Sequence, residues 1–298
     1  MSKTRNILTE RSVCAVIITY HPTVSMIENL SKVFNQVQEI VAVDNGSDIE
    51  ELDRLRAASQ ALGFHLIENG ENLGIAEALN RGVLWAKNEG FPWIVLFDQD
   101  SKITEGFMDQ MFASWQSHPD RERVGAIHPS YVNPVTGVEP FVFRASDGGP
   151  VTSMTSGALM PAWIFDRIGY FSSEYFIDLV DTDHGLRIRQ AGYLNIDSRE
   201  AKLMHFTGNP NKVTILGFTC EPTNHSAIRR YYFSRNRIVV FKKYFRSFPR
   251  YIFHIMYTSL RETVKCFLME QNRRRKFRSL LLGTWDGLIG RMGKKEGI

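Results

Sequence analysis

The chain has 298 residues, is 43% hydrophobic and carries a formal net charge of +4. This length fits one large or two modest domains, and the apolar content excludes a disordered chain. The three cysteines, Cys14, Cys220 and Cys266, lie far apart without metal-type spacing, which argues against a disulfide framework and fits a reducing cytosol. The polar start is not a signal peptide, and no stretch reaches the roughly 18 apolar residues that span a bilayer.

The charge is distributed unevenly along the chain. Residues 229–298 contain 18 Lys and Arg against 4 Asp and Glu, so this region carries +14 and the remainder carries −10. An acidic body followed by a strongly basic region indicates two parts with different partners. We therefore predict one domain over residues 1–225 and a basic, amphipathic helical region over residues 226–298.

The N-terminal third alternates strand and helix patterns, which predicts right-handed βαβ units and an α/β fold with a mostly parallel sheet. Residues 124–161 mix short β-like runs with Gly and Pro, and the chain becomes helical from Ser226. Strands are predicted at Val13–Thr19, Glu39–Val43, Phe64–Ile67 and Trp93–Asp98, and helices at Ser25–Phe34, Ile49–Leu62, Ile75–Asn88, Phe165–Tyr170 and Asp183–Ala191.

Polar clusters follow three of the predicted strands, and ligands bind outside the carboxyl ends of such strands. We expect all three clusters to share one rim of the sheet. They are Thr19-Tyr20, Asp44-Asn45-Gly46-Ser47 and Asp98-Gln99-Asp100.

The triplet Asp98-Gln99-Asp100 is the most informative of the three clusters. Side chains alternate along a strand, so the two carboxylates of an Asp-x-Asp sequence lie on one face. They repel each other unless a positive charge lies between them, and Mg²⁺ or Mn²⁺ prefers oxygen ligands of this kind. Such a cation can then hold a diphosphate. The alternative is a polar turn after a strand.

Two further loops fit a nucleotide pocket. The Asp44 carboxylate can accept from a base N–H or a ribose hydroxyl, and Gly46 allows a close backbone approach. An ordinary Asx turn is the alternative. Asn72 precedes a predicted helix that it can cap, the backbone amides of its loop can also contact a nucleotide, and Arg81 lies one turn further along.

Acids also gather downstream, where Asp178, Asp181 and Asp183 precede or begin a short helix. Acids at a helix start are often only dipole-stabilising caps, and this interpretation fits Asp183 better than Asp181. His205 ends an apolar run, where a lone histidine is more often structural than a ligand.

Together these motifs resemble a bacterial family 2 glycosyltransferase with the A-type nucleotide-diphospho-sugar fold, a mostly parallel Rossmann-like sheet flanked by helices. The triplet and the later acids most resemble rhamnosyltransferases that build surface polysaccharides such as the O-antigen of lipopolysaccharide. The resemblance covers residues 13–208 and rests on VIITYHP, VDNGS, ENLGIAEALNRG, FDQDS, TSGALM and DTDHGLRIRQAGY.

The resemblance implies a metal site and a donor pocket. Asp100 would ligate Mg²⁺ or Mn²⁺ directly, and His205 follows Asp181 at a spacing similar to that of a metal-binding histidine in related galactofuranosyltransferases. The nucleotide-sugar would contact Thr19, Tyr20, Asp44, Asn45, Asn72, Gly74, Arg81, Asp98 and Gln99.

Asp181 occupies the place of the catalytic base in this resemblance. Because Val180 stands where many relatives carry an acid, Asp178 and Asp183 are alternatives. A base is needed since an acceptor hydroxyl is a poor nucleophile and must lose its proton as it attacks the anomeric carbon. One displacement of the diphosphate then inverts that centre. On the acceptor side we expect Ser156, Gly157, Trp163 and Asp183, although core packing is the commoner role of a tryptophan.

The usual donor of these rhamnosyltransferases is dTDP-L-rhamnose, and the acceptor is usually a lipid-linked saccharide. Cations interleaved with aromatics at 229–237, 241–246 and 273–278 are typical of helices at anionic membrane surfaces. We therefore expect a peripheral protein on the cytoplasmic face of the cell membrane. A homo-oligomer contact or a solvated helical face is the alternative. Nucleic-acid binding ranks below both, because the basic region follows a sugar-transferase body.

Two other interpretations remain open. A UDP-sugar donor, such as UDP-galactofuranose or a UDP-hexose, would keep the fold and mechanism, because pocket shape and a few hydrogen bonds discriminate between donors. A non-catalytic nucleotide-sugar-binding or membrane-binding scaffold would have no reason to retain Asp100, Asp181 and His205 together, which favours an enzyme.

Overall fold

The protein is built on an eight-stranded sheet, seen here in a computed structural model that describes residues 8–133, 139–204, 213–215, 218–220 and 224–296. The described strands are β1 (Val13–Thr19), β2 (Glu39–Asp44), β3 (His65–Glu68), β4 (Trp93–Asp98), β5 (Lys102–Ile103), β6 (Val124–Val132), β7 (Leu159–Pro161), β8 (Leu194–Met204), β9 (Val213–Ile215) and β10 (Phe218–Cys220). The described helices are α1 (Val24–Phe34), α2 (Ile49–Leu62), α3 (Ile75–Asn88), α4 (Phe107–Ser117), α5 (Ile164–Ile168), α6 (Val180–Gln190), α7 (Ala227–Tyr244), α8 (Pro249–Met269) and α9 (Arg273–Ile289).

The strand order is β3-β2-β1-β4-β7-β6-β8-β5, with β9 and β10 forming a separate antiparallel pair. β1 runs parallel to β2 and β4, and β6 runs parallel to β8, whereas β7 and β5 are antiparallel to their neighbours. This confirms the predicted mostly parallel sheet flanked by helices. The predicted elements of the first hundred residues agree with the structure to within about one residue at each end.

The centre of the sheet is covered on both faces. All seven residues of β1 are buried, as expected for a central parallel strand. Alternate side chains enter two separate cores: Val16 packs in the core that contains Leu79 of α3, and Ile17 packs in the core that contains Met111 of α4. Burial on both faces fixes the register of β1, and with it the position of the rim at its carboxyl end.

α7 joins the basic C-terminal region to the body of the protein. Its face toward α9 is tightly packed, because a Cβ atom on Gly283 would lie 2.2 Å from the Tyr231 carbonyl oxygen. The cluster predicted at residues 229–237 is largely buried: Arg230 pairs with buried Glu270 at 2.5 Å, and Arg235 is 1% exposed. Arg230 and Arg235 of this helix therefore contact protein rather than solvent. Among the described helices, none is long and apolar enough to cross a bilayer.

Candidate active site

The three polar clusters predicted at strand ends meet at one rim of the sheet. In the parallel register Thr19 pairs with Asp44, and Asp98 lies beside the residue that precedes Thr19. Gln99 links two clusters, since its side chain accepts from the Tyr20 N–H at 2.9 Å and donates to the Tyr20 carbonyl at 3.0 Å. The rim lies where the strand order reverses between β1 and β4, the usual ligand position in open α/β sheets.

Asp44 organises the turn after β2. Its carboxylate is 1% exposed and accepts from the N–H groups of Gly46 and Ser47 at 3.1 and 3.0 Å, from the Ser47 hydroxyl, and from Thr19 at 3.3 Å. These contacts form the Asx turn that the sequence allowed. The role of Asp44 in reading a base stays a prediction.

An amide network holds the loop that faces this turn. The Asn45 side chain accepts from the Leu73 N–H at 3.1 Å and donates to the Asn72 side chain at 3.2 Å, which in turn accepts from the Gly74 N–H at 3.0 Å. Arg81 donates to the Asn69 side chain at 2.9 Å and is 42% exposed. These predicted nucleotide contacts therefore surround one pair of loops.

Gly74 brings this loop against the downstream acids. With φ of 88° it starts α3, and a Cβ atom there would lie 2.5 Å from the Phe176 carbonyl oxygen. The next residue, Ile75, donates its N–H to the same oxygen at 2.7 Å. A side chain would prevent this contact, so the sequence requires glycine here.

A cavity of about 370 Å³ opens beside this contact. It joins the end of β4 to the first turn of α6 and to α7, elements that are far apart in sequence. Its walls include Asp98, Ser156, Asp178, Asp181, Arg229 and Phe233.

Asp98 and Asp181 have perturbed acidities in this cavity. Burial, with the charges of Asp100 and Asp181 adding to it, raises the pKa of Asp98 to about 7. Burial, with the charge of Asp178 adding to it, raises the pKa of Asp181 to about 6. The Asp181 carboxylate accepts from the Thr182 N–H at 2.7 Å. A carboxylate with a pKa near 6 is suited to accept a proton at neutral pH.

Asp178, an alternative base, is engaged by a cation. Its side chain is 4% exposed and accepts from Arg229 at 2.5 Å. Burial nevertheless raises the pKa of Asp178 above its ordinary value. Arg229 thus brings one positive charge to a wall that otherwise carries several carboxylates.

Asp183, the other alternative base and a predicted acceptor contact, does not line the cavity. Its carboxylate is fully buried and accepts from Lys243 at 2.8 Å and from Tyr244 at 2.7 Å, as well as from Arg187 at 2.9 Å. Ser172 and Tyr175 also donate to it. Burial would raise its pKa, but the neighbouring cations outweigh burial and lower it. The prediction of an acceptor role was wrong, because α7 covers this side of α6.

Trp163 also lies away from the site. It follows β7, which is antiparallel to β4 and pairs its Pro161 with Trp93 at the opposite end from Asp98. Its ring packs on Tyr193 at 5.1 Å. The acceptor prediction for Trp163 was therefore wrong, and packing explains this residue.

Two other predicted acceptor residues do lie at the rim. The Ser156 hydroxyl accepts from the Asp98 N–H at 3.3 Å and contacts the Ser101 hydroxyl at 2.6 Å. Gly157 donates its N–H to Leu96 at 2.6 Å. They support the end of β4, and contact with an acceptor stays a prediction.

The structure describes one of the two predicted metal ligands. Asp100 lies at the rim beside Asp98, and His205 lies outside the described residues. In the part of the chain that the structure describes, one trio of potential ligand groups gathers within 4.8 Å: His21, Asp48 and Glu51. Asp48 and Glu51 form the capping box of α2, and the His21 ring N–H donates to the Glu51 carboxylate at 2.8 Å. This cluster is accounted for by helix capping.

Comparison with known proteins agrees with this geometry. Residues 14–138 match the sequence model of glycosyl transferase family 2. The chain is 28% identical, over 305 aligned residues, to the dTDP-rhamnosyl transferase RfbF of Shigella flexneri, covering 95% of this chain and 97% of that protein. The family match itself is limited to residues 14–138. The resemblance drawn from the motifs is thereby confirmed, and the protein is a glycosyltransferase.

Solved structures confirm the A-type fold of this glycosyltransferase. The mannosyltransferase PcManGT from Pyrobaculum calidifontis, in complex with GDP-Man and Mn²⁺, superposes with a TM-score of 0.59 at 15% identity, covering 94% of this chain and 87% of that one. Residues 1–349 of TarS from S. aureus superpose with a TM-score of 0.52 at 12% identity, covering 94% and 72%.

The loop that leads into Asp181 of the glycosyltransferase is strained. Three non-glycine residues, Phe176, Asp178 and Leu179, have φ between 61° and 66°. Such conformations are costly for side chains and persist only where the surroundings hold them. We call residues 176–179 the pre-α6 loop. α6 starts at Val180 rather than at the predicted Asp183, so Asp181 lies in the first turn of the helix.

The glycosyltransferase holds this loop with two α7 residues that the sequence reading missed. The buried Asn236 amide donates to the carbonyls of Ile177 and Asp178 at 2.7 and 2.8 Å, and to that of Tyr175 at 3.1 Å. The Arg235 guanidinium donates to the Tyr175 carbonyl at 2.9 Å. The available signal in the sequence was the pair Arg235-Asn236 within a basic, aromatic helix. The basic charge of that helix instead indicated a surface.

Replacing Asn236 with alanine should lower turnover by roughly 10- to 100-fold, the cost of a misplaced reacting group. The change leaves the Ile177 and Asp178 carbonyls of the loop without their Asn236 donor, so Asp181 loses its fixed position. Steady-state kinetics, with donor binding measured separately, tests this. Asn195→Ala is the matched control, since buried Asn195 donates to the Val151 and Gly185 carbonyls, outside the loop. Equal turnover losses in both variants would count against a positioning role.

Proposed function

We propose that this glycosyltransferase moves L-rhamnose from dTDP-L-rhamnose to a hydroxyl of a lipid-linked saccharide, in the synthesis of a bacterial cell-surface polysaccharide. The observation that carries the proposal is the cavity shared by Asp98, at the nucleotide rim, and Asp181, at the first turn of α6. The alignment with RfbF, whose name states dTDP-rhamnosyl transfer, supports this donor.

In the proposed reaction Asp181 takes the proton of the acceptor hydroxyl as its oxygen attacks the anomeric carbon. The bond from that carbon to the diphosphate breaks on the opposite side, so the anomeric centre is inverted in one step. Thr19, Tyr20 and the amide network around Asn45 would hold the nucleotide. The pre-α6 loop would hold the base.

A divalent cation fits the rim chemically. The end of β4 places the Asp98 and Asp100 carboxylates close together in sequence, and carboxylate oxygens are the ligands that Mg²⁺ and Mn²⁺ prefer. Asp98 and Asp100 would hold the ion together with His205. When bound, such an ion acts as a Lewis acid that offsets the charge of the departing diphosphate. Because PcManGT was solved with Mn²⁺, Mn²⁺ is the first ion to test beside Mg²⁺.

Donor binding tests the proposal. In calorimetry with Mn²⁺ or Mg²⁺ we expect dTDP-L-rhamnose to bind, and UDP-galactose and UDP-galactofuranose to bind more weakly. A chelator, or Asp100→Asn, should reduce binding because the diphosphate loses its cation. Asp109→Asn is the control, since Asp109 is an acid in the first turn of α4, away from the cavity.

Other outcomes separate the alternatives. Preference for a UDP-sugar would keep the fold and the mechanism but discard rhamnose as the substrate. A folded protein that binds none of the three donors would support the non-catalytic scaffold. We extend the proposal to a cytoplasmic, peripheral position at the membrane, where a lipid-linked acceptor is presented.

A further inference from the structure

The last two helices of the protein expose apolar faces. On α8, apolar side chains at spacings of three or four residues point to solvent, and Leu260 is the most exposed at 64%. On α9, Trp285 is 61% exposed. The stripe on α8 consists of Phe253, Tyr257, Leu260, Val264, Phe267 and Leu268, and the stripe on α9 consists of Phe277, Leu281, Leu282, Trp285, Leu288 and Ile289.

The two stripes form one surface, which we call the α8–α9 face. Phe267 and Phe277 join them across the connection between the helices, with ring centroids 4.9 Å apart. The same corner is fixed to the body, because buried Glu270 accepts from Arg230 at 2.5 Å and from Lys276 at 2.7 Å. The face is therefore held rigidly against α7.

The exposed charge around the α8–α9 face is mainly positive. Residues 249–289, all of them described, contain three acids: Glu270 and Asp286 are buried, and Glu262 is half-buried and accepts from Lys265 at 2.8 Å. Exposed arginines flank the apolar stripes. They are Arg250, Arg261, Arg273, Arg274, Arg275 and Arg278.

We infer that the α8–α9 face docks on an anionic phospholipid bilayer. Aromatic and aliphatic side chains flanked by arginines match the boundary between acyl chains and negatively charged headgroups. A second copy of the chain fits less well, since a two-fold contact sets the same patch against itself and brings arginine against arginine. The inference rests on the proposed function only in supposing that the docked enzyme meets a lipid-linked acceptor. Docking itself is independent of that function, because binding to lipid is measured without any substrate.

Co-sedimentation of the full chain with vesicles tests this inference. We expect binding to vesicles that contain phosphatidylglycerol, little binding to pure phosphatidylcholine, and release by salt. Leu281→Ala with Trp285→Ala should weaken binding at least about ten-fold, since both remove apolar area that enters the lipid. The control is Leu62→Ala with Leu84→Ala, two leucines that are 42% and 49% exposed on other helices. It should bind like the parent chain.

Sedimentation velocity without lipid supplies the opposing result. A parent chain that ignores anionic vesicles and forms dimers, which Leu281→Ala with Trp285→Ala converts to monomers, would overturn the inference and assign the face to self-association. Equal vesicle binding by the two double variants would also overturn it. Donor binding should be the same in the parent and both variants, so failure of the docking inference is distinguishable from failure of the proposed function.

Discussion

Replacing Asp181 with asparagine should lower turnover by roughly 10²- to 10⁴-fold, the usual effect of losing a general base. The amide has nearly the shape of the carboxylate and can still accept from the Thr182 N–H. It cannot take a proton from the acceptor hydroxyl. Donor affinity should change little, because Asp181 contributes to the acceptor side of the cavity. Single-turnover kinetics beside calorimetry with the donor would measure both quantities.

The matched control for this variant is Asp109→Asn, which also removes an acid from the first turn of a helix. It should keep normal turnover, since only the helix-dipole contribution of less than about 1 kcal/mol is lost. Near-normal turnover of Asp181→Asn would show that Asp181 is not the base and would favour Asp178 in that role.

The pH profile gives an independent readout of the same residue. Because the pKa of Asp181 is raised to about 6, the base is ionised above that pH, and turnover of the parent enzyme should fall as the pH drops through 6. The residual turnover of Asp181→Asn should lose this inflection. An unchanged profile would contradict the assignment.

Replacing Asp183 with alanine should lower the free energy of unfolding by about 3 kcal/mol, the lower end of the range for a broken buried ion pair. Two buried tyrosine hydroxyls and Arg187 lose their acceptor, while Lys243 is 43% exposed and can reach water. Urea denaturation would measure the change. Turnover per folded molecule should remain measurable, which distinguishes an anchor from a reacting group.

Its control is Asp166→Asn, which breaks the surface pair with Lys87, where Asp166 is 66% exposed. Exposed pairs contribute about 0–1 kcal/mol, so this variant should be nearly neutral. The pKa of Asp183 is lowered in the folded state, so its stabilisation is present above the unfolded value near 4 and is lost as the pH falls through the folded value. Equal destabilisation by both variants would contradict the anchoring role.

Strand ends were the predictable part of this site. Apolar runs that stop at Thr19, Asp44 and Asp98 define three neighbouring parallel strands, and the rule that ligands bind beyond their carboxyl ends was enough to bring these residues together. A strand and the polar residues at its end are consecutive in the sequence, so they can be recognised together. For this reason the elements and the rim could be predicted without any long-range information.

Long-range packing was not predictable in the same way. The sequence around Asp178 and Leu179 contains no glycine that would predict a left-handed backbone. The support for this backbone comes from Asn236, 58 residues later than Asp178. Trp163 was misassigned because the antiparallel direction of β7 is not visible in a three-residue strand. The charge of residues 229–237 indicated a surface, yet most of that segment is interior.

The contact between Asn236 and the pre-α6 loop also bears on the order in which parts of the molecule become fixed during synthesis. The sheet needs residues up to about Met204, and domains fold N-terminal part first as the chain emerges. The clamp on the loop needs α7, and Arg235 of that helix donates to the Gly293 carbonyl at 2.6 Å. The Gly293 N–H in turn donates to Glu174 at 2.8 Å. A nascent chain with its sheet complete would therefore still lack the contacts that fix residues 176–179, and Asp181 would gain its fixed position only after α7 and Gly293 had been made.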